Sequence, residues 1–198
     1  MIKLSKLSWL NFLILISFLI FFILKQNYEF LIYAVTISIL IIFIDKSDKT
    51  FKYNKLAKIG FSIWLFLHLT GGTFMFRGIR WYDTVFIKIL GDPYNILRYD
   101  QVLHLFIFMV FTLFAYSVII HIVGKKTSKI AIGVLAVLAG IGIGALNEII
   151  EFFTVVFFNA GATVGGYYNT ALDLVFNFIG ALTAVFLAFK FPNNFKEN

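Results

Sequence analysis

Six long apolar stretches constrain this 198-residue chain more than any other feature of its sequence. They cover about residues 8–24, 29–45, 57–76, 99–123, 130–158 and 170–189. A helix that crosses a bilayer needs about 20 mostly apolar residues, and these stretches are near or above that length. Strands of a membrane barrel would alternate apolar and polar residues, and these stretches do not. The sequence therefore predicts an all-α, polytopic integral membrane helical bundle, with six transmembrane helices in a single domain over residues 1–198.

The composition excludes the main soluble alternatives. Hydrophobic residues make up 61% of the chain and charged residues only 14%, whereas soluble domains have about 45–50% and about 25%. The chain has no cysteine, which excludes disulfides, thiolate metal sites and a cysteine nucleophile. The formal net charge of +7 is spread over the loops. This favours contact with membrane lipids and argues against nucleic-acid binding.

Lysine and arginine residues in the loops predict the orientation, because they are enriched in cytoplasmic loops. With both termini in the cytoplasm, twelve of these residues lie on the cytoplasmic side and five on the other side. We therefore predict a multi-pass protein of the cell (plasma or inner) membrane with cytoplasmic N- and C-termini. Segment 81–90 mixes aromatic and charged residues, so we expect a short interfacial helix there, on the outer side.

Four acidic residues fall inside the predicted spans: Asp100, Glu148, Glu151 and Asp173. One charged side chain in the middle of a bilayer costs about 2.5–3.5 kcal/mol on insertion scales. Asp100 and His104 are four residues apart, as are Asp173 and Asn177, and Glu148 and Glu151 are three apart. Each pair therefore shares one face of its helix. In the predicted orientation these faces, together with His68 near the end of the third span, reach similar depths on the extracytoplasmic side, so we expect one shared site.

Small residues extend two of these faces. On the fifth span, Ala136, Gly140 and Gly144 precede Glu148 at four-residue steps, and on the sixth span Gly180 and Ala184 continue the face of Asp173. Small residues at this spacing let helix backbones approach closely in lipid. We therefore expect the acidic faces to pack inward. Residues 167–169, which are Tyr167, Tyr168 and Asn169, are expected to form a flexible outer loop that could gate the site.

Carboxylates and imidazole on inward helix faces suit a divalent metal such as Zn, Mn or Fe. The candidate ligands are Asp100, His104, Glu148, Asp173 and His68. Glu151 and Glu148 are the candidate catalytic residues, and Asn147 and Asn177 are supporting polar residues. Two other interpretations stay open: an interhelical hydrogen-bond network that fixes packing, and a carboxylate pair that shares a proton.

The leading functional hypothesis is a metal-dependent enzyme acting on a lipid or cell-envelope intermediate from the extracytoplasmic side. An ion-coupled transporter is a second hypothesis, since carboxylates within membranes mark ion paths. A non-catalytic protein that binds a membrane lipid or a protein partner is the third. The residues do not identify a substrate or a protein partner.

Four short motifs carry a resemblance to known families. They are LHLTGG at 67–72, RYDQVLH at 98–104, EIIEF at 148–152 and DLVFNFIGA at 173–181. In this order they resemble the YjdF-like inner-membrane family, a domain of unknown function, and the last three also resemble the VanZ-like family, associated with glycopeptide (teicoplanin) resistance. Gln101 and Leu103 depart from the YjdF-like pattern, which has Arg and Gly there. The resemblance implies a family and a site but no reaction.

Overall fold

In the computed structural model, which describes residues 4–26, 28–124, 127–158 and 165–192, the chain is almost entirely helical. This part of the chain contains six α-helices: α1 (Lys6–Leu24), α2 (Tyr28–Phe51), α3 (Lys55–Thr73), α4 (Tyr99–Val123), α5 (Lys129–Phe158) and α6 (Tyr167–Lys190). The predicted all-α bundle is confirmed. The charge count that predicts the orientation also uses Lys3, Lys125, Lys126 and Lys196, which lie outside the described residues.

Five of these helices are long and apolar enough to cross a membrane: α1, α2 from Phe30, α4, α5 and α6. Within the described residues, α3 does not meet this condition. Two lysines, Lys55 and Lys58, begin α3, and His68 and two glycines follow near its end, so its apolar share is lower. The prediction of six spans therefore holds for five helices, and α3 joins the bundle by packing on α1 and α4.

The central helix is α4, which contacts α2, α3, α5 and α6. Glycines on α5 and α6 make this packing possible. A Cβ atom on Gly180 of α6 would overlap the backbone carbonyl of Leu105 on α4, and a Cβ on Gly144 of α5 would lie 2.8 Å from the amide nitrogen of Asn177 on α6. The predicted small-residue faces are therefore confirmed as the faces along which α4, α5 and α6 approach one another.

The start of α1, the end of α2 and the start of α3 meet at one end of the bundle, which we call the lysine end (residues 46–58). Asp45 of α2 accepts a hydrogen bond of 2.5 Å from the Ser8 hydroxyl of α1. Asp48 of α2 accepts a bond of 2.7 Å from the Lys58 ammonium of α3. Both carboxylates of α2 therefore have hydrogen-bond partners on neighbouring helices. The helix continues past the predicted end at residue 45 and ends at Phe51.

A short β-hairpin and an irregular loop connect α3 to α4. Strands β1 (Met75–Phe76) and β2 (Ile79–Arg80) pair antiparallel. Arg77 and Gly78 both have positive φ, +52° and +80°, as a type I′ hairpin turn requires. The predicted interfacial helix over 81–90 is wrong. Only Trp81–Asp83 form a single 3₁₀ turn, and the chain beyond it folds back on the start of α4, with the Tyr99 backbone N–H donating to the Thr84 carbonyl at 2.9 Å.

Two further predicted boundaries are wrong. The third span was expected to reach residue 76, but α3 ends at Thr73 because the next residues form the hairpin. Residues 167–169 were expected to form a loop, but they are the first turn of α6. Gly166 precedes this turn in an extended conformation, and its carbonyl accepts the backbone N–H of Thr170 at 3.2 Å.

Candidate functional site

His104 lies at the centre of a buried polar cluster formed by α4, α5 and α6. Its Nε2 atom is 3.6 Å from Oδ1 of Asp100 and 4.0 Å from Oε1 of Glu151. Its Nδ1 atom is 3.7 Å from Oε1 of Glu148. Ligand atoms of Asp100, His104 and Asp173 lie within 4.8 Å of one another, as do those of His104, Glu148 and Glu151. The structure thus brings together all four acids that the sequence placed inside spans. We call Asp100, His104, Glu148, Glu151 and Asp173 the His104 cluster.

Two asparagine side chains orient members of this cluster. Nδ1 of His104 is 3.0 Å from Oδ1 of Asn177, which can only accept a hydrogen bond. His104 therefore donates a hydrogen bond from Nδ1–H to Asn177, and its Nε2 faces Asp100 and Glu151. Asn147 donates to Oε1 of Glu151 at 2.8 Å. Both predicted supporting residues, Asn147 and Asn177, therefore contact the cluster. An imidazole whose Nδ1 is hydrogen-bonded in this way leaves Nε2 available to bind a metal.

Several buried carboxylate oxygens of the cluster lack a partner. Among the described residues, neither oxygen of Glu148 accepts a hydrogen bond, and the same holds for Oδ1 of Asp173. Asp173 is fully buried, and Glu148 is only 9% exposed. Buried polar groups in native structures are hydrogen-bonded in the large majority of cases, so each exception calls for an explanation such as an ion or a proton. The cluster has the donor set and the unsatisfied oxygens of a cation site.

A chain of side-chain hydrogen bonds links the β-hairpin to the cluster. Arg80 and Arg98 both donate to Asp83, at 2.9 Å and 2.7 Å. Arg98 also donates to Oδ1 of Asn169 at 2.8 Å, and Asn169 donates in turn to Oδ2 of Asp173 at 2.6 Å. Asn169, predicted to lie in a gating loop, therefore positions Asp173 instead. The loop between α3 and α4 is thereby coupled to the site.

His68 belongs to neither ligand group among the described residues. Its ring stacks on Trp64, with centroids 4.9 Å apart, and has Phe30 and Tyr33 as neighbours at 5.4 Å. Its Nδ1 is hydrogen-bonded to the Tyr82 hydroxyl. In this part of the chain its Nε2 is buried without a partner. The structure thus places His68 beside the His104 cluster, not within ligand distance of it.

Tyr82 holds His68 from the loop side. Burial and the nearby Asp100 carboxylate raise the pKa of Tyr82 well above its ordinary value, so its phenol keeps its proton. The phenol hydroxyl therefore occupies Nδ1 of His68, and Nε2 is the ring nitrogen left without a partner in the described part of the chain. Gly71 makes room for this arrangement, because a Cβ there would lie 2.8 Å from the rings of both Tyr82 and Tyr99. One glycine of the LHLTGG motif is thereby explained.

A cavity of about 100 Å³ joins His68 to the His104 cluster. Its polar part includes His68, Arg80, Tyr82, Asp100, His104, Asn147 and Glu151. Its apolar part follows α2 and α4, where Ile37, Leu40, Ile107 and Phe111 line it. A concave site with apolar walls and a few convergent polar groups is the usual form of a small-molecule site.

Sequence reasoning missed the residues contributed by the connection between α3 and α4, namely Arg80, Tyr82, Asp83 and Arg98. Arg98 stands within the RYDQVLH motif, so the motif gave a signal that spacing on a helix did not. Gln101, which departs from the family pattern, accepts the backbone N–H groups of Leu97 and Arg98 at 2.7 Å and 3.1 Å and so caps the start of α4. Arg80, Tyr82 and Asp83 lie in the loop, where no helical spacing relates them to the site residues on α4, α5 and α6.

The fold and the site define a helical membrane protein with a buried carboxylate–histidine cluster near one end of its bundle. The chain belongs to the family described as "Predicted membrane protein (DUF2238)", whose model matches residues 7–194. This confirms membership of a YjdF-like family of membrane proteins of unknown function; the relation to the VanZ-like family stays a resemblance. No curated protein and no solved structure matches the chain.

Proposed function

We propose that this protein is a membrane-embedded, metal-dependent enzyme that acts on the polar head group of a lipid or lipid-linked cell-envelope intermediate. The observation that carries the proposal is the His104 cluster, whose buried carboxylate oxygens lack partners among the described residues and which borders a cavity with apolar walls. The cation accounts for the unsatisfied oxygen of Asp173. The apolar walls suit a substrate that enters the cavity from the lipid bilayer.

Asp100, His104 and Asp173 are the proposed metal ligands, because one ligand atom from each lies within 4.8 Å of the others. Bonds of about 2.0–2.2 Å to nitrogen and oxygen would require these ligand atoms to move closer together around the ion. One imidazole and two carboxylates suit Zn, Mn or Fe. Three protein ligands leave a position open for water, as catalytic sites do.

Glu151 is the proposed acid/base, since it lines the cavity and its Oε1 is 4.0 Å from His104 Nε2. The chemistry that this arrangement supports is hydrolysis. A metal held there would supply an activated water for hydrolysis, and Glu151 would take up that water's proton and pass it to the leaving oxygen. Glu148 lies on the Nδ1 side of His104 and balances the charge of the metal–imidazole unit. His68 is assigned to the substrate side, outside the ligand set.

The charge bias of the loops supports a plasma or inner membrane location with both termini in the cytoplasm. In that orientation the lysine end faces the cytoplasm, and the site faces the extracytoplasmic leaflet. Membrane lipids are the proposed partners. An ion-coupled transporter is less well supported, because the described side chains that line the cavity along α2 and α4, among them Ile37, Leu40 and Phe111, are mostly apolar.

Metal content of the detergent-purified protein tests this proposal. After exposure to Zn, Mn or Fe and removal of free metal, we expect close to one ion per chain by mass spectrometry. Asp173→Asn lowers this content strongly, whereas Asp48→Asn, which makes the same change at the lysine end, leaves it unchanged. Circular dichroism and size-exclusion profiles confirm that both variants are folded. No retained metal in the parent, or equal retention in Asp173→Asn, would contradict the proposal.

A further inference from the structure

A second, smaller cavity lies beside the lysine end, between α1, α2 and α3, and no residue of the His104 cluster lines it. Its volume is about 20 Å³, and a polar cavity of roughly 10–15 Å³ on this measure already holds one water-sized particle. Its polar lining consists of six side chains, namely Ser5, Ser8, Asn11, Asp45, Asp48 and Lys58. The cavity therefore has room for one small ion or one water molecule, and five of these six side chains present oxygen atoms.

Asn11 supplies a buried acceptor without a partner. Its side chain lines the cavity from α1, and the residue is only 5% exposed. In the described part of the chain, its Oδ1 atom accepts no hydrogen bond. Ser8 stands three residues earlier, so the two side chains share one face of α1. A buried carboxamide oxygen of this kind calls for a proton donor or a cation beside it.

The nearby hydroxyl protons are already committed to Asp45. Oδ1 of Asp45 accepts hydrogen bonds from the Ser8 hydroxyl at 2.5 Å and from the Ser5 backbone N–H at 2.9 Å. Because the Ser8 hydroxyl has a single proton, it is the acceptor in its 2.8 Å contact with the Ser5 hydroxyl. Both hydroxyls therefore direct their protons along this chain to Asp45. Neither proton is left for Asn11, and each hydroxyl oxygen keeps a lone pair.

The charged side chains that line the cavity leave one negative charge in excess. Lys58 donates to Oδ2 of Asp48 at 2.7 Å, so these two charges compensate each other. Asp45 is only 8% exposed, and the groups that donate to it are the neutral hydroxyl of Ser8 and the backbone of Ser5. Lys49, one turn along α2, attracts Asp45 electrostatically but does not line the cavity. Since a buried charge is costly unless it is paired, one monovalent cation suits the cavity better than a neutral water molecule or a divalent ion.

We propose that this cavity binds one alkali-metal cation, Na⁺ or K⁺, through oxygen atoms of Ser5, Ser8, Asn11 and Asp45. Hard cations take carboxylate, carbonyl and other oxygen ligands of this kind. Three of the four residues belong to the start of α1 and the fourth to α2, so the ion joins the first helix of the bundle to the second. A ligand that binds only the folded chain stabilises it. The site is independent of the reaction proposed at the His104 cluster.

Thermal unfolding of the purified protein in detergent tests the inference. The samples contain NaCl, KCl or choline chloride at equal ionic strength, since choline is too large for the cavity. We expect a Tm that is several degrees higher in at least one of the two alkali salts than in choline chloride. The salt that gives the higher Tm distinguishes Na⁺ from K⁺. An equal Tm in all three salts would overturn the inference and assign the cavity to a water molecule.

Variants assign the salt response to the cavity. Asp45→Asn removes the charge, and Asn11→Leu removes the unpartnered oxygen while it keeps a side chain of similar size. We expect each variant to lose the difference in Tm between the alkali salt and choline chloride. The matched control is Asp92→Asn, in the exposed loop before α4, which keeps this difference. Asp173→Asn, in the His104 cluster, keeps it as well. The full difference in both Asp45→Asn and Asn11→Leu would overturn the inference.

Direct binding to the parent protein tests the site even if a variant does not fold. The probes are radioactive sodium and, as a substitute for potassium, radioactive rubidium, each measured after removal of the free ion. We expect saturable binding of at least one probe, close to one ion per chain. An excess of the same unlabelled ion displaces the probe, whereas Mg²⁺ at equal ionic strength does not. No saturable binding of either probe, or equal displacement by Mg²⁺, would overturn the inference.

Discussion

The Nδ1 atom of His104 on α4 lies 3.0 Å from Oδ1 of Asn177 on α6, so the orientation of the central imidazole depends on a neighbouring helix. The carboxamide oxygen accepts a hydrogen bond from Nδ1–H and turns Nε2 towards Asp100 and Glu151. Outer contacts of this kind set ligand orientation in metal sites. Helix packing and the proposed metal chemistry are therefore connected through one hydrogen bond.

Removal of that hydrogen bond should weaken metal binding. In Asn177→Ala the imidazole loses its acceptor, and we expect a rise of about 10–100-fold in the metal Kd. Asn11→Ala, which truncates another buried asparagine on α1, serves as the control and keeps the parent's Kd. Isothermal titration of the metal-free protein measures both. A parent-like metal Kd in Asn177→Ala would show that Asn177 does not affect metal binding through His104.

Close packing of α6 on α4 depends on Gly180. A Cβ there would overlap the Leu105 carbonyl and lie 2.9 Å from the Met109 backbone nitrogen. Because backbone atoms cannot yield as a side chain can, Gly180→Ala should cost about 1–3 kcal/mol of stability and lower the Tm in detergent.

The matched control is Gly142→Ala on α5, where nothing described lies within 4 Å of the added methyl. Alanine favours a helix by about 0.5–1 kcal/mol over glycine, so this variant should have an unchanged or slightly higher Tm. Equal loss of Tm in both variants would contradict the packing described for α4 and α6.

The sequence predicts the site residues that lie on helices, but it does not predict those that lie in the loop between α3 and α4. Spacing of three or four residues identified Asp100, His104, Glu148, Glu151 and Asp173 as one site, because helical periodicity and alternating helix direction bring them to the same end. Gly140, Gly144 and Gly180 were predicted to face inward by the same rule, and they do.

The connection between α3 and α4 escaped this reasoning. Its aromatic and charged residues indicated an interfacial helix over 81–90, but Arg77 and Gly78 form a hairpin turn that redirects the chain. The contact of Tyr82 with His68 and that of Arg98 with Asn169 span 14 and 71 residues. Contacts between residues so far apart follow no local rule. They depend on tertiary structure.

Glu151 should be required for turnover but not for metal binding. Glu151→Gln keeps the oxygen that accepts from Asn147 and removes the group that takes up the proton. We expect hydrolysis of the lipid head group to fall by about 10²–10⁴-fold, the usual contribution of general acid–base catalysis. Metal content should match the parent's. Full activity in Glu151→Gln would exclude it as the acid/base.

The proposed orientation can be tested with single cysteines, since the native chain has none. Ile87 lies in the exposed loop before α4, and Lys55 lies at the lysine end. In intact cells, a membrane-impermeant maleimide should label Ile87→Cys and should label Lys55→Cys only after the membrane is opened. The reverse pattern would place the site on the cytoplasmic side.

X-ray absorption at the edge of the bound metal identifies the atoms that ligate it, and so tests whether the metal is bound by His104. We expect a first shell of nitrogen and oxygen at about 2.0–2.2 Å, with the outer-shell signal of one imidazole and no sulfur. In His104→Gln, the imidazole signal disappears. A first shell with no imidazole in the parent, or an imidazole signal that persists in His104→Gln, would contradict a metal centred on His104.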